Sequence, residues 1–260
     1  MNIYLKNYLA KSLLKKGVGR KKLLEIAQKG RYRKELDYIA YLKKENISVI
    51  SFDEPQYPKL LKEIHDFPIF LFAKGNVDFF SQKIFTIVGT RNMSKYGERV
   101  VDEFLKESNG YCFASGLARG VDAKVHKMCL ERNIPTIAVV AGGLYEGFPK
   151  SNAEIFDEIC KKGLVISEFP PGREIVKGMF PMRNRILAGM SLGTLVVESD
   201  IDGGSMITTN LSLEYGREVC AVPGNIFKNT SRGCNSLVND GAKSIVSSEE
   251  FQSLLKDCIQ

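Results

Sequence analysis

The sequence predicts an α/β fold: an extended Rossmann-like parallel (mixed) sheet with helices on both faces, preceded by a small all-helical N-terminal domain. Three observations carry this expectation. From about residue 47, short apolar runs rich in β-branched and aromatic residues alternate with stretches of helical period, the pattern of strands covered on both faces. The first 46 residues lack such runs and repeat leucine and isoleucine at helical spacing. A chain of 260 residues with 44% hydrophobic and 26% charged residues can bury one large core beside a small one.

In residues 1–46, Leu13, Leu14, Leu23, Leu24, Ile26, Leu36, Ile39 and Leu42 mark short amphipathic helices. The stretch KKGVGRKK (15–22) interrupts them with two glycines. Its turn resembles that of a helix-hairpin-helix, whose backbone amides can hold a phosphate. A plain helical hairpin packed on the next domain gives the same spacing, and packing is the reading adopted. From 47 to 260 the strand candidates are ISVISF, IFLFA, IFTIVG, YCFAS, TIAVVA, LVISE, TLVVES, EVCAVP and SIVS. Helical stretches lie near 96–109, 120–132, 151–161, 182–190, 205–216 and 248–257. The chain shows no internal repeat and no low-complexity tract.

The formal net charge of +7 is unevenly spread. Residues 1–50 carry 13 Lys and Arg against 4 Asp and Glu, while the other 210 carry 24 against 26. A basic arm attracts phosphates, although a solvated helical surface gives the same count. No apolar run approaches the roughly 20 residues that span a bilayer, and the N-terminus has no secretory pattern. Six scattered cysteines without a CxxC pair point to buried thiols in a reducing cytoplasm rather than disulfides or zinc.

A parallel sheet binds ligands at the carboxyl ends of its strands, so the residues after each run matter most. Those tips read TRNMSKYG, SGLARGVDAKVH, GGLYEGFPKSN, FPPGREIVKGMFPMRNR and DIDGGSMITTN. Each is rich in glycine, small hydroxyls or arginine, and a helix starting there offers free amides and a positive dipole end to an anion. In DIDGGSMITTN, Gly203 and Gly204 permit close backbone approach, and Ser205, Thr208 and Thr209 supply hydroxyls. A tight turn capped by Ser205 is the structural alternative. Neither a GK[ST] nor a GxGxxG follows a strand, so no nucleotide or dinucleotide cofactor is expected. Arg91, one residue past a buried strand, suits a phosphate through its planar fork; a surface ion pair is the other reading.

The stretch KGMFPMRNR (177–185) sets a ring among three cations at a helix start. Arg183 and Arg185 oppose the helix dipole there, so negative partners are expected. Glu168, Glu174, Glu198 or Asp200 can serve internally, and at least one of the two arginines is expected to be structural. The other candidate is a polyanion, with Lys177 on phosphate and Phe180 offering a face to a base, a contact of about 1–3 kcal/mol. Phe180 as ordinary core competes with that reading. Ser115, Asp122 and His126 do not form a convincing triad, because ASGLA is not a G-x-S-x-G elbow and Asp122 is a normal first-turn acid. No residues show metal-ligand spacing. A second enzymatic reading comes from DGGSMITTNLSLEYG, with Glu214, which loosely resembles the PGGxGT…E loop of phosphoribohydrolases related to lysine-decarboxylase-like proteins. Asp202 replaces the proline, and the glutamate falls too far along.

Taken together, YPKLLKEIHDFPIFLFAKGN, IVGTRNMSKYG, ASGLARGVDAKVHKMCL, GFPKSNAEIFDEI, GLVISEFPPG, FPMRNRILAGMS, VVESDIDGGSMITTN and GREVCAVPGNI…GCNSLVNDGA resemble the DprA/Smf family of DNA-processing proteins, in the family's order from about 52 to 246. The resemblance implies an extended Rossmann domain behind a small helical one. It implies a non-enzymatic protein that binds single-stranded DNA during natural transformation, shields it and helps load the RecA recombinase, acting as a homodimer. By motif, the family's DNA-contacting arginine falls on Arg91, its lysine and aromatic on Lys177 and Phe180, and its phosphate loop on Gly203 to Ser205. The full candidate DNA-binding set is Thr90, Arg91, Ser115, Gly116, Lys177, Gly178, Phe180, Arg183, Asn184, Arg185, Gly203, Gly204, Ser205 and Thr208. Many family members add a C-terminal winged-helix domain; SSEEFQSLLKDCIQ at the end of this chain reads instead as one amphipathic helix.

Overall fold

Among the described residues one nine-stranded sheet forms from the predicted runs, the last strand overlapping the run SIVS only at Ser244. The computed structural model describes residues 36–258 apart from 107, 109, 145–149 and 174, together with Lys6, Leu9, Lys21, Leu23 and Glu25. The strands are β1 (Ser48–Ser51), β2 (Phe70–Gly75), β3 (Ile84–Gly89), β4 (Cys112–Ser115), β5 (Thr136–Val139), β6 (Leu164–Ser167), β7 (Gly193–Val197), β8 (Glu218–Ala221) and β9 (Lys243–Ser244). The described helices are α1 (Leu36–Lys44), α2 (Lys95–Phe104), α3 (Val121–Glu131), α4 (Ala153–Lys162), α5 (Met179–Met190), α6 (Gly204–Glu214), α7 (Asn229–Asn239) and α8 (Ser248–Asp257).

The spatial order is β1-β2-β6-β5-β4-β3-β7-β8-β9. From β6 to β9 all pairs are parallel, while β1 and β2 add an antiparallel edge next to β6. Side chains alternate along each strand. In β3, Ile84 and Val88 face the helix layer holding Ile186, Leu187 and Met190 of α5 and Leu237 of α7. Phe85 and Ile87 face the opposite layer, with Val101 and Phe104 of α2, Val125 and Met128 of α3, and Phe251 and Leu254 of α8. Both faces are therefore dry, which is why the strands read as unbroken apolar runs. The buried hydroxyls on the first face find partners: Thr86 Oγ1 donates to the Leu187 carbonyl at 3.2 Å, and Thr194 Oγ1 lies 2.8 Å from Ser212 Oγ.

Leu9, Leu23, Tyr38 and Leu42 join a third cluster with Phe70, Phe72, Phe156 and Val165. Lys6 Nζ meets Glu54 Oε1 at 2.6 Å. Leu36, expected on the apolar stripe, is instead the exposed first residue of α1. The glycines of KKGVGRKK lie outside the described residues, as do Leu13, Leu14, Leu24 and Ile26.

Two elements differ from expectation. Helix α7 was not foreseen because its sequence, NTSRGCNSLVN, is polar and buries only Ser231, Gly233, Cys234 and Leu237. Helix α5 starts at Met179, three residues early; Pro181 stands in its first turn, where its missing N–H costs nothing.

Candidate nucleic-acid interface

Strand order reverses between β3 and β7. From β3 the chain moves outward through β4, β5 and β6, then returns to β7 on β3's other side. The loops leaving β3 and β7 diverge, and in open α/β sheets this opens the ligand crevice at the carboxyl edge. A cavity of about 390 Å³ lies there, lined by Gly89, Thr90, Arg91, Ala118, Asp122, Phe180, Pro181, Arg183, Asn184, Asp200, Gly203, Gly204, Ser205 and Thr208.

The β3 tip is fixed by its backbone. The Thr90 amide donates to the Glu198 carbonyl at 2.6 Å, and the Val121 amide donates to the Thr90 carbonyl at 3.2 Å. A Cβ on Gly89 would come within 1.9 Å of the Val197 carbonyl oxygen, so only glycine permits this approach. Arg91 then projects into solvent. It has no ion-pair partner among the described residues.

At the β7 tip, Glu198 is buried and holds a left-handed backbone with φ of +56°, a conformation that costs about 1–3 kcal/mol in a side-chain-bearing residue. Its carboxylate accepts the Ser94 amide at 2.8 Å and also the Ser94 hydroxyl. Ser94 in turn caps α2 by accepting the Tyr96 and Gly97 amides. The loop carrying Arg91 is thereby pinned to β7. Further along, Gly203 caps α6 with no side-chain acceptor, so the first amides of that helix stay available to an anion. Ser205 is nearly buried and its Oγ lies 2.7 Å from Ser199 Oγ; it does not cap the helix. Nothing crowds the Cβ position of Gly204.

The remaining sequence-derived candidates divide into those that face the cavity and those that support it. Phe180 is half-buried, and Asn184 and Thr208 line the wall beside it. Lys177 and Gly178 are exposed just before α5, outside the cavity lining. Ser115 is fully buried and its hydroxyl donates to the Ile87 carbonyl at 2.7 Å. Gly116 packs against the Arg183 guanidinium, where a Cβ would fall 1.7 Å from Nη1. Arg183 Nη1 donates to the Val139 carbonyl at 2.9 Å. Burial lowers its proton affinity, with Asp122 opposing and Arg91 reinforcing that shift. Asp122 accepts the Gly116 and Ala118 amides at 3.2 and 3.3 Å. Burial raises its pKa, and Arg183 works against that rise. Arg185 is structural: Nη2 meets Glu168 Oε2 at 2.5 Å, and Nε lies 3.4 Å from Asp66 Oδ2.

Sequence reasoning missed the role of Glu198, which had been considered only as an arginine partner. It also missed Leu117, which holds a left-handed backbone with φ of +55° next to Gly116. Positive φ at a non-glycine leaves no mark in composition.

The same geometry bears on the enzymatic readings. His126 is fully buried with Nδ1 2.8 Å from Thr136 Oγ1, and burial pushes its pKa down to about 3. With Ser115 committed to a carbonyl, no serine–histidine relay exists among these groups. Glu214 sits at the end of α6 and lines a neighbouring groove with Asp66, Glu168 and Arg185, away from the switch-point cavity. Among the described residues no three His, Cys, Asp or Glu side chains group as a metal site, and no helix is long and apolar enough to cross a membrane.

Comparison with known proteins agrees with this geometry. The family model for DNA recombination-mediator protein A matches residues 48–256. DNA processing protein DprA of Bacillus subtilis (strain 168) is 40% identical over 226 residues, covering 85% of this chain and 76% of the relative. Its Streptococcus pneumoniae counterpart is 39% identical over 214 residues, covering 81% and 76%. The X-ray structure of DprA from S. pneumoniae superposes with a TM-score of 0.79 at 34% identity, covering 94% of this chain and 86% of that one. DNA processing protein A from Helicobacter pylori, solved for its unique single-stranded DNA binding mode, gives a TM-score of 0.74 at 27% identity and covers 81% and 96%. The chain therefore belongs to the DNA recombination-mediator protein A family, the DprA/Smf proteins.

Proposed function

We propose that this protein binds single-stranded DNA without sequence preference along the carboxyl edge of its sheet and mediates recombination. The observation that carries this is the convergence at the switch point of Arg91, without an ion-pair partner among the described residues, half-buried Phe180 and the uncapped glycine start of α6. An exposed guanidinium and open amides suit a phosphate, and an accessible ring suits an unpaired base. Thr90, Arg91, Lys177, Phe180, Asn184, Gly203, Gly204, Ser205 and Thr208 form the contact set in this reading. Ser115, Gly116, Gly178, Arg183 and Arg185 shape and brace it. Residues 1–46 act as a small helical domain docked on the Rossmann-like domain of 47–260. In the same reading the protein works as a cytoplasmic homodimer that shields incoming DNA and hands it to RecA. It acts by binding rather than by turnover, which the titration-neutral His126 and the engaged Ser115 support.

Fluorescence anisotropy with oligo-dT and with a duplex of equal length, across a salt series, tests the proposal. The single strand is expected to bind at least about tenfold tighter, with affinity falling linearly in log salt. Equal affinity for both, or no salt dependence, overturns it.

A further inference from the structure

Next to β7 in the sheet, β8 delivers the loop 222–228, and this loop ends in Ile226 and Phe227, which are 75% and 87% exposed. A ring so far out in solvent on a rigid support is unusual. The support is rigid because the Gly224 amide donates to Asn235 Oδ1 and Asn235 Nδ2 donates to the Gly224 carbonyl, both at 3.0 Å. The Phe227 amide donates to Asn225 Oδ1 at 2.9 Å, and the Lys228 amide donates to the Asn225 carbonyl at 3.0 Å. A clamped turn thus presents the ring outward on an already ordered backbone.

Charge and continuity say what it meets. Between Val219 and Asn239 the chain has two cations, Lys228 and Arg232, and no Asp or Glu. Both cations are exposed. Arg232 approaches Asp200 only at 3.9 Å in a half-exposed pair, a contact of negligible strength. The loop is also joined to the switch-point site. The Gly233 amide of α7 donates to the Ser199 carbonyl at 2.8 Å, and a Cβ on Gly233 would fall 2.7 Å from the Asp200 carbonyl oxygen. Adjacent strands are about 5 Å apart, so the tips of β3, β7 and β8 form one short continuous rim.

We infer that the strand track runs past the switch-point cavity onto this loop, where Phe227 stacks on a second base and Lys228 and Arg232 meet the flanking phosphates. The inference rests on the single-strand reading above and adds a second aromatic platform to it.

The full chain is titrated with an oligo-dT of about 20 nucleotides, longer than a single ~4–16-nucleotide site, as native protein and as Phe227→Ala, Phe227→Trp and Arg91→Ala. Light scattering of each free protein runs in parallel. Phe227→Ala is expected to bind about tenfold more weakly with an unchanged salt slope, since stacking releases few counterions. Phe227→Trp should restore affinity, and neither change should alter the mass of the free protein. Native affinity in Phe227→Ala overturns the inference, as does a changed mass, which would assign the ring to contact between copies. Arg91→Ala separates the two levels: if it binds like native protein, the switch-point reading fails, whatever Phe227 does.

Discussion

Gly116 shows how one missing side chain governs a charge. The Arg183 guanidinium occupies the space where a Cβ at 116 would lie, and it is held there by the Val139 carbonyl and faced by Asp122. Gly116→Ala forces the guanidinium out of a buried seat, and overpacking of this kind costs about 1–3 kcal/mol. Stability lowered by that amount in urea titrations is the expected result; an unchanged midpoint would show that the seat is dispensable. This residue scale was only partly legible in the sequence. Arg91 stood out because an arginine just past a buried strand has no core to enter. The need for a negative partner at a helix start named Glu168 among four acids without saying which arginine it meets; it meets Arg185. The burial of Arg183 was hidden, because the glycine that makes room for it belongs to a different strand tip. Phe180, read as either core or platform, is half-buried at the cavity wall.

Elements were easier to read than their joints. Runs with both faces apolar announced β3 to β8, because each must satisfy helices above and below. The orientation of β1 and β2 was open, since pairing direction depends on connections that composition does not encode. Helix α7 escaped because a polar sequence docked through small residues carries almost no periodic signal. The joint between α2 and β7 escaped as well, for it rests on two side chains distant in sequence. Ser94 both caps α2 and donates to Glu198. Loss of a cap costs about 1 kcal/mol and loss of a hydrogen bond to a charge about 1.5–3 kcal/mol. Ser94→Ala should therefore lower stability by up to about 2.5–4 kcal/mol in denaturant melts and weaken oligo-dT binding by loosening the loop that carries Arg91. Unchanged stability would mean that Glu198 holds the loop through the Ser94 amide alone.

For the whole molecule, the buried histidine sets an acid limit. His126 stays neutral in the fold down to about pH 3, whereas in the unfolded chain it takes a proton near pH 6.5. Between those values the unfolded state binds more protons, so stability rises with pH across that window and is lost as pH falls through it. Asp122 has the opposite sign, because its raised pKa lets the fold keep a proton that the unfolded chain has released; it offsets part of the loss. Urea midpoints should drop from about pH 7 to about pH 4, and His126→Gln should show a shallower drop. Parallel pH profiles for the two proteins would exclude His126 as the cause. The strand order has one more consequence. β3 pairs with β7, Val88 opposite Val196, so the two sides of the switch-point crevice leave the ribosome far apart in time. At about 5–20 residues per second, several seconds separate their synthesis, and a nascent chain that already displays Arg91 still lacks the glycine start of α6. On the proposed single-strand reading, a growing polypeptide therefore cannot close this crevice on nucleic acid near the translation machinery until the fold is nearly whole.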